Sequence, residues 1–319
     1  IAHGGVMIIS RRIFENIFKG PRESNECEDQ IRILKELLIL DTTMPVDETV
    51  LNCIIFSCDR AMQLHALLSS YYEKVSDPVP VYIIYRSSSN RHERSYNELF
   101  KDFSERNIIP VKQGSTKTFK DILLSVLSQI QYGRVFFLVD DVVFIENVTL
   151  KEFMKYDSRY YIPSLRLGKN ITYAYTTNSY QEIPECENVK LSEVSVFCWR
   201  WCTGTCDWGY PLSLDGNLYS VHEILALTKA IDFNSPNTYE SHLQGYKWLF
   251  DHRYGICFKK SVIVNIPLNR VQSDFNNTHG EIHQDYLLSK WEDGVRIDCR
   301  KLYGFNNIGV HQEIPIHFI

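Results

Sequence analysis

The sequence predicts an α/β fold: a mostly parallel sheet flanked by helices. From Val50 onward, apolar runs of strand length alternate with amphipathic runs of helix length, the pattern of βαβ units. The strand runs are continuously apolar, as strands covered on both faces are. Their downstream ends carry small and charged residues, where loops leave such a sheet.

Taken in order, "VLNCIIFSCDR" (50–60) reads as a buried first strand and its loop. "AMQLHALLSSYYEKV" reads as an amphipathic helix, and "VPVYIIYRSS" as a second buried strand. "HERSYNELFKDFSER" is helical, "NIIPVKQ" is a short strand and "KTFKDILLSVLSQIQ" is a helix. "RVFFLVDDVVF" (134–144) completes the set as one fourth strand. In the less regular second half, "NLYSVHEILALTKAID" reads as a helix and "GICFKKSVIVNIP" as a strand. "HQDYLLSKWEDG" is a helix closed by a glycine cap. Residues 1–48 form an extension, in which Ile31, Ile33, Leu34, Leu37, Leu38 and Leu40 recur at helical spacing. The main domain then spans 49–319, with halves of about 49–150 and 151–319.

At 319 residues, the chain is long enough for a full core without staples. A net charge of -5 argues against a nucleic-acid binder, which is normally basic. Nineteen tyrosines suit sugar and nucleotide pockets as well as cores. No stretch is long and apolar enough to span a bilayer, and no signal-like segment stands at the start. The nine cysteines include Cys53 and Cys58 inside a strand pattern, where a thiol acts as a small hydrophobe. Cys186, Cys198, Cys202 and Cys206 lack the close pairs of common zinc knuckles, so buried thiols or a disulfide are expected there. Together these features predict a reducing, cytoplasmic location, with a partner or a lipid-linked acceptor as the route to a membrane. The sequons at Asn147, Asn170 and Asn276 are too common by chance to imply secretion.

Asp140 and Asp141 stand at the end of the fourth strand, the edge where open parallel sheets bind ligands. Adjacent carboxylates repel, and a hard divalent cation such as Mg²⁺ or Mn²⁺ relieves them and bridges to phosphates. An acid pair capping a loop, with salt-bridge partners, is the alternative. The first strand ends in Ser57, Asp59 and Arg60 on the same edge. Neither G-x-G-x-x-G nor G-x-x-x-x-G-K-[ST] follows it, which argues against a dinucleotide dehydrogenase and a P-loop kinase.

"LNCIIFSCDR" and "VFFLVDDVVF" together resemble glycosyltransferases of the GT-A (Rossmann-like) fold, the second as a DD variant of their D-x-D strand. The resemblance covers about residues 50–319 and extends to "SLRLGKNI", "DWGYPLSLDGNLYSVHEI", "NSPNTYE" and "VNIPLNRVQ". Val142 stands where a strict D-x-D has its second acid. The family implies transfer from a nucleoside-diphosphate sugar to a glycan or glycolipid acceptor, assisted by Mn²⁺ or Mg²⁺. It places Ser57, Asp59 and Arg60 near the base and ribose, and Arg86 near the base or a phosphate. Asp140 is expected on the ribose or sugar and Asp141 on the metal. His311 is the preferred second metal ligand, before His279 and His283. Arg166, Lys169 and Arg270 are candidate diphosphate clamps. The general base of an inverting reaction is expected at Glu240, with Asp215 and Asp285 as alternatives. "WRWCTGTCDWGYP" is expected either as an aromatic acceptor wall or as core. A nucleotidyltransferase and a non-catalytic carbohydrate-binding module are the rival readings.

Overall fold

The computed structural model describes residues 49–130, 132–189, 195–269 and 282–319, together with Ile33, Leu34 and Leu37. Strand β1 (Leu51–Cys58) leads into helix α1 (Ala61–Lys74), β2 (Val81–Arg86) into α2 (Asn90–Asp102), and β3 (Ile108–Lys112) into α3 (Phe119–Ile130). Strand β4 (Arg134–Val139) stops at the acid pair; β5 (Val142–Phe144) and the short helix α4 (Lys151–Met154) follow. Next come β6 (Tyr161–Pro163), β7 (Tyr173–Ala174), β8 (Ser179–Tyr180), β9 (Glu187–Val189), β10 (Val196–Arg200) and β11 (Leu218–Ser220). Helices α5 (Val221–Ala230) and α6 (Pro236–Gln244), strands β12 (Tyr254–Cys257) and β13 (Ile263–Asn265), and helix α7 (Gln284–Glu292) complete the described elements.

The main sheet runs β11-β4-β1-β2-β3. Its four longer strands are parallel, and β11 closes one edge antiparallel. Side chains alternate across the sheet, so each strand feeds two cores. Cys53, Ile55, Val81, Ile83, Phe136 and Leu138 join α1, α2 and α7 on one side. Ile54, Phe56, Ile84, Val135 and Phe137 join α3 and α5 on the other. Burial on both faces is why these runs lack polar alternation. Ile33, Leu34 and Leu37 are helical and pack on the second core; the rest of the predicted extension helix lies outside the described residues.

The helix boundaries follow local chemistry. Ser89 caps α2 by accepting from the His92 N–H. The Asp121 carboxylate accepts from the Thr118 N–H and hydroxyl at the start of α3. Ser235 and Thr238 form a capping box on α6, with Pro236 in its first turn. Gly294, at φ 82°, follows α7 as the sequence predicts.

Three expectations need correction. The run 134–144 is two strands: β5 leaves the main sheet and pairs antiparallel with β13. The break falls on Asp140 and Asp141, which turn toward ligands of their own. The run 255–267 likewise divides into β12, in a second sheet ordered β6-β12-β10-β9, and β13. Residues 218–220, read as helix, form the edge strand β11, and the helix begins only at Val221.

The tryptophan cluster is core. Trp199, Trp201 and Trp208 are 2%, 1% and 0% exposed, so they form no acceptor wall. Their rings meet edge-on, with Trp199 4.9 Å from Trp201 and 4.8 Å from Trp208. The Trp199 Nε1–H donates to the Trp208 carbonyl and the Trp208 Nε1–H to the Ile171 carbonyl, which satisfies both indoles inside. Among the described residues the cysteines are free thiols, and Cys202 and Cys206 are exposed rather than buried.

Gly255 in β12 lies against the Trp199 ring; a Cβ there would sit 2.2 Å from it. Gly255→Ala is expected to lower the unfolding free energy by about 1–3 kcal/mol, the usual cost of overpacking. Urea melts of the two proteins measure the difference.

Candidate active site

The carboxyl ends of β1 and β4 meet at one point because the strands pair in parallel register, Phe56 beside Val139. Asp140 follows β4 directly and accepts three hydrogen bonds. The Ser57 hydroxyl donates at 2.8 Å, the Cys58 N–H at 3.3 Å, and the Arg60 guanidinium at 3.0 Å. The same Arg60 nitrogen donates to Asp141 at 3.0 Å, so one guanidinium bridges both acids. Its other terminal nitrogen donates to the Asn269 carbonyl. Arg60 reaches this place because Asp59 turns the chain with φ 58°, in the left-handed region. The turn is pinned from both sides. The Asp59 carboxylate accepts from the Ser88 N–H at 2.8 Å. The Tyr96 hydroxyl accepts from the Arg60 N–H at 3.2 Å and lies 2.6 Å from the Ser57 hydroxyl.

Asp141 faces a second wall. Its backbone carbonyl accepts from the Ile266 N–H at 2.9 Å, which ties it to the segment after β13. Burial raises its carboxyl to about 6; Arg60 opposes the shift, Asp140 and Asp215 reinforce it, and His311 opposes it. Asp215 and His311 are paired, His311 Nε2 to Asp215 Oδ2 at 3.2 Å. Burial pushes the Asp215 carboxyl up, but the hydrogen bond and charge of His311 outweigh it and leave the group lowered. Burial likewise pushes the His311 imidazole down, and Asp215 reverses that, so it is raised. Asp215 owes its position to Gly216, whose φ of 75° and contact with Ile263 leave no room for a Cβ.

Glu240, from α6, completes the group by accepting from the Leu214 N–H at 2.9 Å. Burial and the Asp215 charge raise its carboxyl. Arg166 backs the cluster, bonding the Ser213 hydroxyl and the Asp207 carboxylate at 2.8 Å each. Five carboxylates (Asp140, Asp141, Asp207, Asp215, Glu240) thus face two guanidiniums and one imidazole. With every carboxyl ionised and His311 charged, the formal charges are five negative against three positive.

Whether this arrangement suits a divalent cation can be tested on its unsatisfied atoms. Asp141 Oδ1 and His311 Nδ1 are both buried with no hydrogen-bond partner. When Asp215 accepts from Nε2–H, the neutral imidazole presents a lone pair at Nδ1. A carboxylate behind a histidine is the usual support of a metal ligand. An unsatisfied carboxylate oxygen and an unsatisfied imidazole nitrogen are the donor types a divalent cation takes. Among the described residues no group of three His, Cys, Asp or Glu side chains forms a fuller cage.

No protein-family model matches the chain. Over 266 residues it is 25% identical to the bifunctional glycosyltransferase pgtA of Dictyostelium discoideum, a match covering 72% of this chain and 33% of that protein. In sequence, then, the chain is similar to a glycosyltransferase. It spans about a third of the length of that curated relative. Among solved structures, S. aureus TarS 1-349 in complex with UDP-GlcNAc aligns at 15% identity and a TM-score of 0.43, over 76% of this chain and 72% of that one. A nucleotidyl transferase from Methanothermobacter thermautotroptrophicus aligns at 7% identity and a TM-score of 0.38, over 67% and 89%.

The predicted site residues divide into four groups. Ser57, Arg60, Asp140, Asp141, Asp215, Glu240, His311 and Arg166 come together as described. Arg86 stands at the end of β2, where a cavity of about 500 Å³ is lined by Arg86, Ser87 and residues 113–118. Asp59 lies close by but holds the β2–α2 loop. Elsewhere, Asp285 is exposed in the first turn of α7 beside His283, at 3.5 Å. Lys169 covers the Phe197 ring at 3.8 Å and joins none of the interactions of the cluster. Arg270 and His279 lie outside the described residues.

Tyr96, Asn265, Asn269 and Asp207 belong to the site but are not singled out by the sequence reading. Asn265 hydrogen-bonds Asp215 and shares a bridge with His311. Only the blocks "VNIPLNRVQ" and "DWGYPLSLDGNLYSVHEI" marked three of these positions. Tyr96 lies on a helix face that reads simply as core.

The raised Asp141 carboxyl fixes a pH dependence. Between its ordinary value of 3.8 and about 6, the folded chain holds a proton here that the unfolded chain has released. The associated stability is complete below 3.8 and lost as pH rises through 6. In EDTA-treated protein at neutral pH, Asp141→Asn is expected to raise the melting temperature by about 4 °C. Scanning calorimetry should show the gain disappearing near the acid end of that window.

Proposed function

We propose that the chain moves a sugar from a nucleoside-diphosphate sugar to a glycan or polysaccharide acceptor, with inversion. The observation that carries this reading is the enclosed acid cluster at the ends of β1 and β4. There, Asp141 Oδ1 and His311 Nδ1 are buried and unsatisfied, and Glu240, which feels the charges of Asp215 and His311, has a raised carboxyl. The division of labour follows the chain, with donor binding assigned to about 49–150 and acceptor binding to about 151–319.

Asp141 and His311 would hold Mn²⁺ or Mg²⁺, which supplies charge for a departing diphosphate. Asp215 fixes the imidazole orientation from behind. Asp140 serves as an anchor: its three hydrogen bonds commit it to Ser57, Cys58 and Arg60 rather than to a ribose. Arg60 keeps the two aspartates from repelling and presents positive charge at the sheet edge. The cavity beside Arg86 is placed to receive the nucleoside, with Arg86 and the 113–118 loop supplying polar contacts. Glu240 is the proposed base. Burial brings its carboxyl closer to neutrality, where a base accepts a proton from an acceptor hydroxyl most effectively.

The loop after β1 favours this reading over a nucleotidyltransferase. Its left-handed residue is Asp59, and the segment 57–61 contains no glycine to bring backbone amides against a triphosphate.

Thermal melts with uridine, guanosine and thymidine diphosphates, each with and without Mn²⁺, test the assignment. One nucleotide is expected to stabilise the protein only with the metal, and Asp141→Asn is expected to remove that effect. Stabilisation that survives the substitution would dismiss Asp141 as the ligand. Asp215→Asn is expected to weaken Mn²⁺ binding about 10–100-fold by titration. Glu240→Gln is expected to keep nucleotide binding and lose about 10²–10⁴-fold in transfer rate.

A further inference from the structure

With the tryptophans in the core, the acceptor's surface lies elsewhere, and the β7–β8 hairpin has the properties it needs. Residues 170–181, "NITYAYTTNSYQ", hold no charged side chain in twelve positions. Three are tyrosines, and the rest are mostly hydroxyl or amide residues. Tyr173 and Tyr180 face each other across the hairpin, ring centroids 5.6 Å apart. Tyr180 is 81% exposed. Asn178, at φ 50°, makes the turn, and its side chain accepts from the Tyr173 hydroxyl. The hairpin is therefore a fixed platform with one open aromatic face and a hydroxyl-rich tip.

Its position ties it to the catalytic cluster. The Thr172 and Tyr173 N–H groups donate to the Ile308 carbonyl, three residues before His311. The Tyr175 ring lies parallel to the His311 imidazole, 6.4 Å away at 27°. Gln181, next to Tyr180, donates to Asp207, the partner of Arg166. A molecule resting on this hairpin lies beside the cluster from the second half of the chain.

We propose that the β7–β8 hairpin is a saccharide-binding subsite for a neutral acceptor, with a pyranose ring stacked on Tyr180. The inference rests on the glycosyltransferase reading for the word acceptor, and on the hairpin itself for the saccharide. The C–H face of a pyranose is apolar and weakly positive, matching the negative face of a phenol ring. Hydroxyl and amide side chains around it both donate and accept, as sugar hydroxyls require. Tyrosine provides this contact at small entropic cost. The absence of lysine and arginine from the segment disfavours phosphorylated or uronic-acid acceptors, which bind guanidinium groups.

An array of neutral and acidic oligosaccharides, probed with the wild-type chain, Tyr180→Ala and Tyr180→Phe, tests the proposal. Wild type is expected to bind neutral glycans. The alanine variant is expected to bind them about tenfold more weakly and the phenylalanine variant nearly normally, because the ring face carries the contact. Melting with nucleoside diphosphate and Mn²⁺ is expected to be alike in all three proteins. Neutral glycan binding that is absent from wild type, unchanged in Tyr180→Ala, or exceeded by acidic glycans would overturn the subsite. Failure of the donor reading shows separately, as no nucleotide-dependent stabilisation; Tyr180-dependent glycan binding would then still uphold the saccharide site.

Discussion

One guanidinium between two neighbouring carboxylates lets the central sheet end as it does. Asp140 and Asp141 cannot both be withdrawn from water as bare anions, because burying an uncompensated charge costs several kcal/mol. Arg60 meets both at 3.0 Å, while Ser57 and the Cys58 amide satisfy the remaining side of Asp140. The strand therefore breaks in an orderly way: β4 stays in the sheet, the acids turn into the site, and β5 returns to the first core. The backbone cost is concentrated at Asp59, a non-glycine in the left-handed region held by Ser88, beside the Tyr96–Ser57 contact. Strain of this kind persists only where surrounding bonds over-determine it.

The opposite wall is arranged so that charge remains unbalanced. Asp215 and His311 settle each other, and Arg166 is occupied with Asp207 and Ser213. What remains is Asp141, which shares Arg60 with Asp140, and Glu240, which has no cation of its own among the described hydrogen bonds. Both carboxyls are raised, first by burial and then by neighbouring charge. A site in this condition favours whatever brings positive charge, and it is enclosed by strand ends that the two cores hold rigidly.

Much of this was legible in the sequence. The continuous apolar runs gave the parallel strands, because doubly covered strands carry no polar alternation. The acid pair and "FSCDR" marked the functional edge, since open parallel sheets bind ligands at the carboxyl ends of their strands. Asp215, Glu240, His311 and Arg166 all stand out as candidates in the sequence alone. The errors have a common source. The run 134–144 read as one strand, and the tryptophan block was open as an acceptor wall, because apolarity reports burial without saying against what. Tyr96 was missed for the converse reason: a tyrosine on a packed helix face reads as core, and only its hydroxyl reaches the site.

The sequence by itself determined the alternation of strands and helices over residues 50–139, the two-sided burial of the sheet, and the edge where chemistry belongs. These depend on short-range periodicity and on the charge of individual residues, which any stretch of chain displays locally. The tertiary structure alone decided that Arg60 bridges the aspartates, that Asp215 stands behind His311, and that tyrosines rather than tryptophans face outward. Those are contacts between segments separated by scores of residues, and their partners are chosen by register and packing, quantities that no local stretch contains.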